Sequence, residues 1–233
     1  GKTTYNYNIL NELANTGSEN ETRTWSATVD LQWVILLGLS YQGLFSYSSA
    51  SADTEQYAGE RSFYISSFRG YEYGSVSPNG NETKCTRLPM GGLQESSLTN
   101  TKGISVRNSL VYNRSFKEKH RITLQLGIET NSTKTKGASN KRYGYMPDRG
   151  ESFATPPATY YWDMSIERDN KDVVSGEHSI VNRIENSLSE FATAVYTYDN
   201  RYVLNFSARL DASNRFGQDK NKRFQPTWSA GFK

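Results

Sequence analysis

Two histidines, one cysteine and one run of alternating acids and bases are the residues here whose types could do chemistry. Their spacing gives none of them a catalytic partner. His120 falls beside a predicted strand turn and His178 in a polar stretch, and no Ser or Cys nucleophile pattern joins them. No H-E-x-x-H zinc motif, phosphate-binding loop or dinucleotide fingerprint occurs. The run Glu167-Arg168-Asp169-Asn170-Lys171-Asp172 has the carboxylates calcium takes but not the D-x-D-x-D-G order, so it reads as a solvated loop. Cys85 is alone and reads as a loop residue, which excludes an intrachain disulfide. Asn-x-Ser/Thr sequons begin at Asn20, Asn81, Asn113, Asn131 and Asn205. Two of these, Asn113 and Asn205, fall inside predicted strands, and so Asn- and Ser-rich a chain makes sequons by chance. The expectation is a protein that is not an enzyme and carries no metal or cofactor.

The aromatic residues point to binding instead. Phe63, Tyr64, Phe68, Tyr71 and Tyr73 are interleaved with Arg61 and Arg69, and Tyr160-Tyr161-Trp162 form a second group. Flat rings stack on sugar faces or cover an apolar partner, and they serve equally well to pack a loop against itself. The candidate substrate-binding residues are Tyr160, Tyr161, Trp162, Arg61 and Tyr71. All lie in long polar stretches, where recognition is carried on a rigid scaffold.

What scaffold could hold them follows from composition. The chain has 233 residues, only 35% of them hydrophobic, and a mean hydropathy of −0.73. No stretch approaches the roughly 20 apolar residues of a membrane helix. A β-barrel remains open, because its strands alternate and never look apolar on a sliding average. Tyr is abundant at 16 residues, and Ser, Thr, Asn and Gly are frequent, which favours strands and turns. The net charge of +3 is small and its lysines and arginines are dispersed, so nucleic acid is not an expected partner. Gly1-Lys2-Thr3-Thr4-Tyr5 has neither the charged start nor the apolar core of a signal peptide, and none is expected within the chain, nor is a plug domain.

The strands are legible as hairpins. Trp25, Ala27, Val29, Leu31, Trp33 and Ile35 alternate with Thr24, Ser26, Thr28, Asp30 and Gln32, a period of two over a length that crosses a bilayer. A turn at Leu36-Leu37-Gly38 needs a left-handed residue, which Gly38 supplies. The return strand carries Leu39, Tyr41, Gly43, Phe45 and Tyr47, and pairing Ile35 with Leu39 places both apolar sets on one face. A second hairpin puts Ile104, Val106, Leu110, Tyr112 and Phe116 before a turn at Lys117-Glu118-Lys119, and Ile122, Leu124, Leu126 and Ile128 after it. Asn108 and Arg114 interrupt its apolar face, Arg114 near enough to the turn to snorkel. A third turns at Asp199-Asn200-Arg201, between Ala192, Ala194, Tyr196, Tyr198 and Tyr202, Leu204, Phe206, Ala208, Leu210. Trp228, Ala230 and Phe232 begin one more strand.

Short turns alternate with long polar connections, 48–103 and 129–191, and connections of that size are rare in compact soluble domains. Aromatics gather beside the turns, at Trp33, Tyr41, Tyr112, Phe116, Tyr198 and Tyr202, as in an interfacial girdle. The expected fold is all-β: an antiparallel, up-and-down transmembrane β-barrel, incomplete, with six or seven strands of a larger wall over residues 1–233. Asp30, Gln32, Gln125, Arg209 and Asp211 would face the lumen. Two alternatives stay open, a soluble β-sandwich that binds glycans through the same aromatics, and a structural or adhesive surface barrel.

Tyr196 to Phe232 resembles the SusC/RagA family of TonB-dependent outer-membrane transporters. Tyr196, Tyr198 and Arg201-Tyr202 match, as do Ser207, Arg209, Asp211, Ser213 and Arg215-Phe216-Gly217, then Phe224, Pro226 and Ser229-Ala230-Gly231-Phe232. The family runs R-x-D-x-S-S-R-F-G and then F-P-S-x-S-x-G-W. Here Asn214 replaces the second Ser, Gln225 separates Phe224 from Pro226, and Phe232 replaces Trp. His120-Arg121-Ile122 with Gly127 and Glu129 is similar to the family's H-x-L…G-x-E strand, and Leu36-Leu37-Gly38-Leu39 to its L-P-G-L turn. The resemblance implies a mid-barrel stretch of an outer-membrane importer for oligosaccharides or peptides. It further implies coupling to TonB through an N-terminal region, a SusD-like surface lipoprotein over the long loops, and lipid against the wall.

Overall fold

The computed structural model describes residues 7–69, 90–154, 162–163, 168–169, 176–215 and 224–233. Its long strands are β1 (Thr16–Leu36), β2 (Leu39–Ala58), β3 (Gly92–Phe116), β4 (His120–Met146), β8 (Glu177–Tyr198), β9 (Tyr202–Ser213) and β10 (Phe224–Phe232). Helices α1 (Ile9–Asn15) and α2 (Phe63–Arg69) and the two-residue strands β5 (Ser152–Phe153), β6 (Trp162–Asp163) and β7 (Arg168–Asp169) complete it. The strands form an eight-stranded sheet in the order β1-β2-β3-β4-β8-β9-β10, with β5 against β4, while β6 and β7 pair separately. Each long strand neighbours the next along the chain, which is up-and-down order, and the path ends at two free edges, β1 and β10.

The tight turns are at the expected positions. Gly38 has φ +84° and its carbonyl accepts from the Asn113 N–H at 2.7 Å. A Cβ there would stand 2.7 Å from the Asn113 carbonyl oxygen, so glycine is required twice over. Asp199 and Asn200 are both left-handed, at φ 52° and 53°, which Asp and Asn tolerate best among residues with a Cβ. Tyr198 then pairs with Tyr202, Tyr196 with Leu204, Ala194 with Phe206 and Ala192 with Ala208. The Thr28 and Ser46 hydroxyls lie 3.1 Å apart, as they must if Ile35 faces Leu39.

The expected connections, 48–103 and 129–191, prove too long: β2 continues to Ala58, β3 starts at Gly92, β4 runs to Met146 and β8 starts at Glu177. These extensions are mostly polar (β4 continues as Thr133-Lys134-Thr135-Lys136), and their few apolar residues, among them Leu93, Tyr145 and Ile180, keep no unbroken period of two. Ladder hydrogen bonds and cross-strand polar pairs carry them instead, among them Thr54 to Asn20 at 3.4 Å and Lys141 to Glu95 at 2.9 Å.

Two compact units divide the chain. One comprises residues 24–50, 100–136 and 182–233 and contains the tight turns. Its sheet inverts the usual arrangement of a soluble domain. Trp25, Leu31, Trp33, Leu126, Leu204, Phe206, Trp228 and Phe232 are all more than half or nearly half exposed. Along β8, β9 and β10 the apolar rows interleave large and small residues: Ala192, Ala208 and Trp228 in one row, Ala194, Phe206 and Ala230 in the next. An apolar face this extensive and uncovered does not suit a β-sandwich, whose two sheets bury each other's inner faces. It suits a wall that meets lipid.

The other unit comprises residues 1–23, 51–99 and 137–181 and contains both helices. The buried hydrophobic residues of the whole described chain are Ile65, Leu93 and Tyr145, and all lie here. The Asn8 side chain caps α1 by accepting from the Leu10 N–H at 3.0 Å. Glu12 of α1 in turn accepts from the Phe63 N–H at 2.8 Å, which satisfies an orphan donor at the start of α2. Ile65 then packs on Leu93, Ala58 and Tyr143.

Candidate functional site

The sequence-predicted binding residues are not gathered into one place. Arg61 is exposed just before α2, and its carbonyl accepts from Asn11 Nδ2 at 2.9 Å. It borders a hollow of about 210 Å³ with Tyr57, Tyr145, Asp148 and Arg149. Trp162 lies in β6, paired with Asp169. Tyr71, Tyr160 and Tyr161 lie outside the described residues, as do Phe216 and Gly217 of the family motif and Cys85. Of the first aromatic group, Phe63 is not free for a ligand: its ring meets Tyr7 edge-on at 5.9 Å. The carboxylate of Glu95 holds the Lys141 ammonium above its ordinary value, burial opposing the shift. Burial pushes the Tyr145 phenol up, with Glu151 and Glu55 adding to the effect.

What the structure does bring together is the motif on the polar face of β8 and β9. Pairing places Ser189 opposite Asp211, Phe191 opposite Arg209 and Thr193 opposite Ser207. Arg209 Nε donates to Asp211 Oδ1 at 2.8 Å and its Nη2 to Ser189 Oγ at 2.9 Å, while Ser189 donates to Asp211 Oδ1 at 2.5 Å. Ser189, only 4% exposed, is thereby fully used. Four positions further out, Glu185 receives both Arg183 and Arg215, the latter at 3.3 Å. Ser213 accepts from the Arg215 N–H at 3.2 Å and so shapes the exit from β9. The arrangement is a ladder of satisfied charges along one face. It holds no nucleophile–base pair, and no group of three or more His, Cys, Asp or Glu that could hold a metal occurs among the described residues.

Three features escaped sequence reasoning. Asn108, which interrupts the apolar face of β3, is satisfied there by the Tyr41 hydroxyl at 2.5 Å. His120 shares a hydrogen bond with the Tyr196 hydroxyl at 2.7 Å and lies against Tyr198, 5.1 Å between ring centres, so it belongs to the aromatic band beside the turns. Glu190 stands on the apolar side of β8, opposite Leu210. Its strand parity was readable in the sequence. The partners of Asn108 and His120, on strands far apart in the chain, were not.

Comparisons with known proteins come from sequence and from fold. No protein-family model matches the chain. A TonB-dependent receptor of Formosa agariphila is 25% identical over 146 residues, 63% of this chain and 13% of the receptor. The RagAB peptide importer in its "closed-closed" state matches with a TM-score of 0.62 at 19% identity, over 94% of this chain and 20% of the importer chain. Its "open-open" state gives 0.65 at 19% identity, with the same coverage. The chain therefore spans a small part of each relative's length. In sequence and in fold it is similar to a stretch of TonB-dependent transporter barrel of the SusC/RagA kind, the resemblance its motif residues carry.

Proposed function

We propose that this chain is part of the wall of an energy-coupled outer-membrane importer for oligosaccharides or peptides. The observation that carries the reading is the sheet of residues 24–50, 100–136 and 182–233. One of its faces is apolar and uncovered, and the other is polar and ion-paired. Such a sheet suits a place between lipid and an aqueous lumen. The short turns at 36–38, 117–119 and 199–201 would lie on the periplasmic side, and the connections 59–91 and 147–176 on the cell surface. A SusD-like lipoprotein would sit over those connections, in keeping with the two-component relatives, and TonB would act through a plug outside this chain. Cargo would be recognised by the connections and would pass along the polar face. Binding and release are its steps, and no covalent bond changes.

Uptake of labelled oligosaccharide and peptide libraries by cells carrying the complete protein tests this. Accumulation that stops when TonB is deleted or the proton gradient is collapsed is the expected result. Uptake indifferent to both would sink the reading. In the same assay Trp162→Ala combined with Tyr161→Ala should weaken cargo affinity, and unchanged affinity removes those rings from the binding site.

A further inference from the structure

Phe191 is out of place by the alternation of β8. Its neighbours on the polar face are Ser189 and Thr193, and Arg209 faces it across the ladder. A phenyl ring there needs a cause, and two observations supply one. Across β4 the ring lies over Gly127, where any Cβ would collide with its outer edge. On the far side of that gap the Arg107 guanidinium of β3 sits 4.9 Å from the ring centre. Three strands thus cooperate: a glycine opens the gap, a phenylalanine fills it, and an arginine rests on top.

The arginines of β8, β9 and the turn after it have carboxylates of their own, Arg209 with Asp211 and Arg183 and Arg215 with Glu185. Among the described residues no carboxylate lies within ion-pair distance of Arg107, which rests on the ring instead. A guanidinium held over a ring face spends none of its N–H donors on that contact, so they stay available to an acceptor. Their planar fork matches a carboxylate in two-point contact. We infer that Arg107, propped on Phe191 over Gly127, is a binding post for the carboxylate of cargo moving along the polar face. This rests on the import reading above and sharpens it. The cargo is anionic, an acidic peptide or a uronate-bearing oligosaccharide, and not a neutral glycan.

The complete transporter with its native partner is tested against four ligands: an acidic hexapeptide, the same peptide with every carboxyl amidated, a trigalacturonate and its methyl ester. Arg107→Gln should weaken binding of the acidic member of one pair by about tenfold or more, with its uncharged counterpart changed by less than about twofold. Which pair responds identifies the source of the carboxylate. Arg107→Lys should recover part of the loss. Phe191→Leu, which keeps the bulk and loses the ring face, should fall between. Equal losses for charged and uncharged ligands, or none for either, overturn the inference and leave the import reading intact. Wild-type protein that takes up none of the four, with neutral glycans imported normally, overturns the inference too; import of no ligand at all overturns both.

Discussion

Asn214 continues the ladder that Asn186 belongs to, using its side chain where the backbone pairing of β8 and β9 stops. The Asn214 N–H donates to the Asn186 carbonyl at 3.2 Å, the Asn186 N–H donates to Asn214 Oδ1 at 3.0 Å, and Asn214 Nδ2 donates to the Ile184 carbonyl at 2.8 Å. The carboxamide acts as one more peptide group. A serine at this position, which the SusC/RagA pattern has, lacks the length to reach both partners.

Asn214→Ala should therefore destabilise the complete barrel by about 1–2 kcal/mol, the net worth of two lost hydrogen bonds, and Asn214→Ser by nearly as much. Guanidinium unfolding in lipid vesicles, followed by tryptophan fluorescence, reads this directly. A serine variant as stable as wild type would show that the side-chain bonds contribute nothing.

Tyr41 and Asn108 form a polar pair on an apolar face, and removing one side strands the other. Tyr41→Phe alone should cost about 1–3 kcal/mol, while Tyr41→Phe with Asn108→Leu should cost less than the single change. Additive costs in that double-mutant cycle would rule out a coupled pair.

Glu190 projects from the same face opposite Leu210. Glu190→Leu should leave stability unchanged or raise it, by up to about 2 kcal/mol, if that face meets hydrocarbon. A clear loss of stability in vesicles would place Glu190 in water or against a cationic partner.

The Lys141–Glu95 bridge links β4 to β3 at 2.9 Å with the lysine side chain 25% exposed and the carboxylate 44% exposed, so screening keeps its worth small. Because the folded ammonium titrates above 10.5, its stabilisation is complete below that value and fades only as pH rises beyond it. The Tyr145 phenol, raised from 10.0, acts in the same direction. Amide exchange protection at the Glu95–Lys141 level should thus be flat from about pH 6 to 9 once intrinsic rates are removed, and fall in alkali. Lys141→Met should lower the plateau slightly and soften the alkaline drop. A drop centred near neutrality would contradict this assignment.

How far the sequence reveals the molecule depends on where an apolar period exists. The hairpin closing at Tyr198 and Tyr202 is legible residue by residue, because Ala194, Tyr196, Leu204 and Phe206 alternate cleanly and Asp199-Asn200 is turn chemistry. The stretch from Ser49 to Ala58 is not legible as strand: most of its side chains are small or polar, and the ladder and the packing of Tyr57 and Ala58 that hold it come from residues far along the chain. Helix α2 is hidden for another reason. Seven residues are too few to hold a helix unaided, and the cap on Phe63 comes from Glu12, over fifty positions earlier. Arg61 could be singled out by type, but its surroundings at Tyr57 and Arg149 are assembled only by folding.

The two free edges of the sheet have a consequence for biogenesis. Along β1 and β10 every second residue turns an amide and a carbonyl to a side where no described strand receives them. In hydrocarbon each such group costs several kcal/mol, and a strand of this length carries many. If the sheet meets lipid as proposed, inserting these strands with their edges unpaired is strongly disfavoured, and the stretch enters the bilayer with those edges paired, by further strands or by one lent from whatever delivers it.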